Sequence, residues 1–382
     1  MCYVLKHFDT PLLKFTLSLD PIDGWSVSLL ELNEAQRNLL PLDLEVSSQG
    51  VLKWLQRRFI PKNRAFVHSF LAKLGLNHND IKGILEICKG LSLTDCYWVV
   101  DDGFTGSFSQ YNLYAHRFDQ TLALIAYTGH GESVRSGFSS SPELTTDGML
   151  AKCWRKVAGE IILYKAGSTG AANAGNEPYS EFYAAQIAKQ MGLNAVDYEL
   201  HRWKKQLCST CKLFTSQRFS YIPTGRLVRQ GGWTNIIHYY KKLGENYYNN
   251  LIDMLIFDTV ICNEDRHFGN FGLLIENQTN QIVATAPIFD NGLSLFNYAM
   301  ADDLKNINIY AKTRFMRDGQ DFIAFARAVI TKRQKTQLHA LINFRFTKHT
   351  RYNLPDKRLK LIEQFIQSRV QELLEIPLQG GE

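Results

Sequence analysis

The chain of 382 residues (43.7 kDa) is 45% hydrophobic and carries a formal charge of +6 with a pI near 8.8, which describes a globular protein long enough to bury a large core in two or three domains. No apolar run approaches the roughly 18 residues needed to span a bilayer. The opening MCYVLKHFDT lacks the features of a signal peptide, and the seven irregularly spaced cysteines argue against a disulfide framework; the expected setting is the reducing cytoplasm, with no membrane partner.

Residues 1–132 read as an N-terminal accessory region. LLKFTLSL and WSVSLLEL flank PIDG, where Pro21 and Gly24 supply turn geometry, so a β-hairpin is predicted. From Ser47 the spacing turns helical through VLKWLQRRF, RAFVHSFLAKLGL and NDIKGILEICKGL, with Gly75 and Gly90 as stops. The last two segments have the outline of a helix-turn-helix. Lys82 and Lys89 are too few basic side chains for a recognition helix, however, so packing is the favoured role. DCYWVVDDGFTG reads as a strand, and TLALIAYTG as strand or helix. SVRSGFSSSPELTT, residues 133–146, is rich in Ser, Gly and Pro and reads as a linker, with Ser139, Ser140 and Ser141 as accessible hydroxyls.

Residues 147–226 read as a small sheet-containing lobe. DGMLAKCWRKVAGEIILYK predicts strand, turn and strand, with the hairpin at Ala158-Gly159 and Lys165 at its end. Glu181 follows in the first turn of a helix, SEFYAAQIAKQMGL, capped by Ser180 and stopped by Gly192. Cys208 and Cys211 have zinc-ligand spacing, but a structural zinc site takes four ligands and no second pair is near; LCSTCKLFTS is read as a strand.

Residues 227–382 read as a mainly helical large lobe. NNLIDMLIFDTVIC predicts a helix ending in polar NEDRH, and FGLLI and QIVATAPIF predict a hairpin that returns Asp290 beside Asn270. Asp265, Asn270 and Asp290 then supply carboxylate, carboxamide and carboxylate, hard oxygen donors suited to Mg2+ with a nucleotide triphosphate. DFIAFARAVIT, KTQLHALINF and a long helix opened by Pro355 complete the chain. From Thr331 to Lys360 there are nine Lys or Arg and one acid, Asp356, a run that reads as a solvated helix face ahead of a nucleic-acid contact.

NEDRHFGNFG followed by PIFDNGLSLF resembles the C-terminal lobe of the HipA-like kinases, bacterial proteins with a divergent protein-kinase fold, and more distantly the phosphoinositide kinases, which share a DRH-x-x-N loop. The resemblance implies a bilobal α+β kinase fold with an accessory region in front, binding ATP and Mg2+ and transferring phosphate to a Ser/Thr hydroxyl of a protein substrate. It implies Asp265 as the residue that orients or deprotonates the acceptor, and Asn270 and Asp290 as metal ligands. Lys165, paired with Glu181, would contact the nucleotide phosphates, and Arg266 and His267 would brace the loop. By order along the chain, Gly148 to Lys152 is the sparse phosphate-covering loop, and Phe214 and Thr215 are candidates for contact with adenine. A translation-related substrate and an antitoxin-like regulatory partner are implied by association. Two rival readings are a lipid or small-molecule kinase with the same loop, and a catalytically silent scaffold binding nucleic acid or protein; a scaffold has no physical need of every metal ligand.

Overall fold

The structure, a computed structural model, describes residues 1–132 and 141–378. Most of the expected linker, with Ser139 and Ser140, lies outside the described residues. Its end, Pro142–Thr145, is a buried 3-10 turn whose preceding Ser141 is itself buried and accepts a hydrogen bond from the Glu143 amide. Contacts divide the chain into two compact units. The first is Met1–Tyr164 with Lys212–Ile222 and Leu274–Val283; the second is Lys165–Cys211 with Pro223–Leu273 and Ala284–Glu382.

The chain begins with β1 (Cys2–His7), β2 (Thr10–Asp20) and β3 (Gly24–Leu32). In β2 the side chains of Leu13, Phe15 and Leu17 are buried in alternation with Lys14, Thr16 and Ser18, the period of a sheet with one covered face. The β2–β3 turn closes because Asp20 accepts from the amides of Ile22 and Asp23 and Gly24 takes a positive φ. Helices α1 (Ser48–Arg58), α2 (Val67–Lys73) and α3 (Ile81–Cys88) follow, and then β4 (Tyr97–Asp101). The four strands form one antiparallel sheet of order β3-β2-β1-β4, so β1, which the sequence reading passed over, is paired on both sides. A one-turn α4 (Phe108–Tyr111) leads to α5 (Gln120–Thr128). The ambiguous run TLALIAYTG is therefore a helix: Asp119 caps it through the Leu122 amide and Gly129 stops it in the left-handed region. Within this unit Phe15, Trp54, Leu55, Phe70, Ile84 and Ile125 belong to a single core.

Strands β5 (Lys152–Val157) and β6 (Glu160–Ala166) turn at Ala158 and Gly159, both with positive φ, as the spacing predicts. Helix α6 (Glu177–Gln190) comes next. It starts ahead of the expected point, with Pro178 in its first turn, so Ser180 is not its cap; the Ser180 hydroxyl donates to the Ser294 carbonyl instead, and Glu181 sits in the second turn. Strands β7 (Glu199–Trp203), β8 (Gln206–Lys212) and β9 (Phe219–Pro223) precede the short α7 (Thr224–Leu227), α8 (Gly232–Leu243) and α9 (Glu245–Ile261). Cys208 and Cys211 lie in β8, where Cys208 is buried; among the described residues no cluster of three His, Cys, Asp or Glu forms a metal site. Strands β10 (Gly272–Glu276) and β11 (Gln281–Thr285) form the expected hairpin, and the two further sheets have the orders β5-β6-β8-β7 and β11-β10-β9.

The remaining elements are α10 (Ala301–Lys305), α11 (Ile307–Ala311), α12 (Phe322–Val329), α13 (Lys332–His339) and α14 (Asp356–Glu375). Leu359, Ile362, Ile366, Val370 and Leu373 of α14 are all buried, as their stripe predicts. Much of the basic run is engaged within its own unit. Arg333 forks onto buried Asp253, Lys335 donates to the Leu374 and Ile376 carbonyls at the C-terminal end of α14, and Arg358 donates to the carbonyls of Phe296 and Ala299. Among the described residues no helix is long and apolar enough to cross a membrane.

Candidate active site

Helix α9 delivers the site. Every residue from Leu251 to Ile261 is buried, including Asp258, which is fully excluded from solvent. A buried carboxylate costs several kcal/mol unless it is paired and hydrogen-bonded. Here Arg266 supplies the partner, with Nε 2.8 Å from one Asp258 oxygen and Nη2 2.9 Å from the other, while Asn263 Nδ2 donates to Asp258 Oδ1 at 3.0 Å. The helix ends at Cys262, held at φ 49°, and the loop from Asn263 to Asn270 folds back over its end.

All five N–H donors of Arg266 are used. Beyond Asp258, Nη1 donates to the carbonyls of Asn270 and Phe289, and Nη2 to the side-chain oxygen of Asn291. One buried guanidinium therefore ties together the helix, the end of the DRH loop and the PIFDNG segment. His267 is exposed, and its Nδ1 accepts from the Gly269 amide.

Asp265 stands at the turn of the loop. Its carbonyl accepts from the His267 amide at 2.7 Å and from Asn270 Nδ2 at 3.3 Å, and its own amide donates to Asn263 Oδ1. Partial burial raises the Asp265 pKa, against the opposing pull of His267 and Arg317; Arg317 Nη1 lies 3.2 Å from Asp265 Oδ1.

Lys165, at the end of β6, is buried between two carboxylates: it donates to Glu181 Oε1 at 2.8 Å and to Asp290 Oδ1. Burial alone would lower the Lys165 pKa; the attraction of Asp290 and Glu181 outweighs it and holds the pKa above the usual lysine range, so the ammonium stays charged. Glu181 is gripped at both oxygens, because Oε2 accepts from the Asn291 amide at 2.8 Å. A Cβ added at Gly292 would meet Glu177 Cβ at 3.3 Å, a tight contact that Glu177 would have to relieve by a small shift. Asp290 adopts φ 57°, uncommon for a residue with a side chain, and its amide donates to the Tyr198 hydroxyl at 3.1 Å.

Lys165, Glu181, Asp265, Arg266, Asn270 and Asp290 thus share one hydrogen-bonded network in the second unit. Gly148, Lys152, Phe214 and Thr215 belong to the first unit. There Gly148 has φ 92°, Lys152 Nζ folds back onto the Asp147 carbonyl at 2.9 Å, Phe214 meets Tyr221 edge to face, and Thr215 donates to the Leu93 carbonyl. Sequence reasoning missed Asp258, Asn291 and Tyr198. Only Asp258 left a signal, as one of two acids, with Asp253, inside an apolar helical run, and the nearer to a basic residue just beyond its end.

The donor set fits Mg2+. Asp290 and Asn270 offer hard oxygens, and a Mg2+ ion is commonly held by one or two carboxylates with phosphate and water completing its shell.

No protein-family model matches the chain. Over 143 residues it is 28% identical to the Helicobacter pylori serine/threonine-protein kinase CtkA, covering 34% of this chain and 43% of that protein, so the chain spans less than half the length of the curated relative it matches. A crystal structure of CtkA aligns with a TM-score of 0.46 at 17% identity, over 59% of this chain and 92% of that one. Shewanella oneidensis HipA, solved with HipB and operator DNA, aligns over 98% of this chain and 100% of its own with a TM-score of 0.53 at 11% identity. The chain has the HipA-like kinase fold and is similar in sequence, over about a third of its length, to a bacterial serine/threonine-protein kinase.

Proposed function

We propose that the protein is an ATP- and Mg2+-dependent kinase that phosphorylates a Ser or Thr hydroxyl of a protein, acting in the cytoplasm. The observation that carries this reading is the charged Lys165, held by Glu181 and Asp290 in the network that also fixes the Asp265 loop. In the reaction the acceptor oxygen bonds to the γ-phosphorus of ATP as the bond to the β-γ bridging oxygen breaks, and ADP leaves. Asp265 orients the acceptor hydroxyl and takes its proton; Lys165 neutralises phosphate charge; Glu181 keeps the lysine in position. Asn270 and Asp290 would hold Mg2+, which when bound supplies charge neutralisation at the phosphate oxygens.

A protein acceptor is preferred to a lipid because the chain is similar in sequence to a serine/threonine-protein kinase and much of the basic run that could meet anionic lipid is bonded within its own unit. The HipA likeness extends the proposal to an antitoxin-like partner that regulates the kinase. The test is incubation of the purified protein with labelled ATP, Mg2+ and cell lysate or, separately, phosphoinositide vesicles. Label in one or a few proteins that disappears with Asp265→Asn is the expected outcome. Label in lipid alone would replace this reading with a lipid kinase, and label nowhere, including the protein itself, would remove it.

A further inference from the structure

Two neighbouring acids of the DRH loop are met by two arginines from one short segment. Arg314 Nη1 donates to Glu264 Oε2 at 3.5 Å, and Arg317 Nη1 lies 3.2 Å from Asp265 Oδ1. The segment that follows α11 is held in place locally. The Arg314 guanidinium lies 4.7 Å above the Tyr310 ring, Met316 is buried, and the Met316 and Gly319 amides close a turn with the Gln320 and Met316 carbonyls. Residues 312–320 carry Lys312, Arg314 and Arg317 against one acid, Asp318, which is turned towards Gln320.

Arg317 differs from the structural arginines of this unit. Its side chain is 64% exposed and touches Asp265 through one nitrogen, whereas Arg266 is buried with every donor used. A guanidinium has five N–H donors in a planar fork that matches carboxylate and phosphate, so Arg317 retains donors for a further anion. An acceptor hydroxyl must come within about 3 Å of the Asp265 carboxylate for its proton to be taken. The residues flanking that hydroxyl then pass beside the guanidinium resting on the same carboxylate.

We propose, building on the kinase reading above, that Arg317, backed by Arg314, is a specificity-determining residue that selects hydroxyls lying next to an anionic side chain of a protein substrate. The anion is a carboxylate or a phosphate. The energy comes from a charge-assisted pair formed as substrate arrives, and it discriminates against acceptors flanked by lysine or arginine, which meet like charge.

The experiment uses the full chain with Mg2+, ATP and degenerate peptide pools containing one serine, with the flanking residue fixed as Asp, phosphoserine, Ala or Lys. The readout is the ratio of kcat/KM values between pools within one protein variant, so a general loss of activity cancels. The wild type is expected to favour an anionic flank over Ala by about tenfold, which is about 1.4 kcal/mol. Arg317→Gln should bring the ratio to about one, and Arg317→Glu should turn the preference towards the Lys pool. An arginine that only orients Asp265 would lower every rate and leave the ratios alone, which would overturn the proposal. So would a wild type that labels all pools equally, or one that labels proteins in lysate and none of the pools. A wild type that labels no acceptor of any kind removes the kinase reading itself. Comparison of the Asp and phosphoserine pools identifies which anion is read.

Discussion

The Asp258–Arg266 pair can be dissected by three variants: Arg266→Met, Asp258→Leu and the double substitution. In Arg266→Met the Asp258 carboxylate stays buried with Asn263 as its remaining hydrogen-bond donor, and the carbonyls of Asn270 and Phe289 lose the guanidinium. Breaking a buried ion pair from one side costs about 3–5 kcal/mol, and each stranded carbonyl adds about 1 kcal/mol or more. Asp258→Leu strands the guanidinium and should cost a similar amount. In the double variant neither charge remains, so its loss should fall short of the sum of the singles by at least about 2–3 kcal/mol. Urea unfolding followed by tryptophan fluorescence, with midpoints compared at a common slope, reads the three differences. Singles costing under about 1 kcal/mol, or a double equal to the sum of the two, would refute the argument that this pair is held by mutual compensation. Recovered stability should not bring recovered transfer, because the apolar pair cannot hold Asn270, Phe289 and Asn291; a misplacement of about 1 Å is enough to cost about a hundredfold in rate.

Excess MgATP should stabilise the wild type by about 2.7 kcal/mol at a hundredfold of its dissociation constant; a thermal-shift assay should show most of that gain lost in Lys165→Met and without Mg2+, but retained in Asp265→Asn. His7, packed against Phe8 and Tyr97, has its pKa lowered to about 4 by burial, opposed by Asp95. The unfolded state therefore takes up the proton first as pH falls from about 6.5 to 4, and stability should drop by about 3 kcal/mol across that window. His7→Phe should remove that part of the slope in unfolding midpoints measured at each pH, and an unchanged slope would contradict the assignment.

What could be read in advance was whatever depends on short spacing. Asp265 and Asn270 are joined through one loop, and Lys165 ends a strand whose hairpin turn is marked by Ala158-Gly159, so local pattern carries them. The start of α6 was misjudged because Ser180 before Glu181 imitates a cap, while Pro178, free of any amide to satisfy, marks a first turn more strongly. β1 was passed over because its place depends on strands on both sides, a long-range property. Tyr198 and Arg317 left no trace for the same reason: each touches its partner across a large gap in sequence.

Asp258 is the instructive omission. An acid within an apolar helical run, as Asp253 and Asp258 both are, already demands a buried partner, and Arg266 is the first basic residue beyond that run. Following that demand would have paired Arg266 with Asp258 before any coordinates. It also explains why the DRH loop keeps an arginine where a lysine has the same charge. An ammonium has three donors and no fixed plane, whereas the acceptors here are five: two oxygens of Asp258, two carbonyls and the Asn291 side chain. Two of those acceptors, the Phe289 carbonyl and the Asn291 side chain, flank Asp290, which is held at positive φ. The donors of Arg266 therefore offset the backbone strain at Asp290 while fixing the segment that presents it to Lys165.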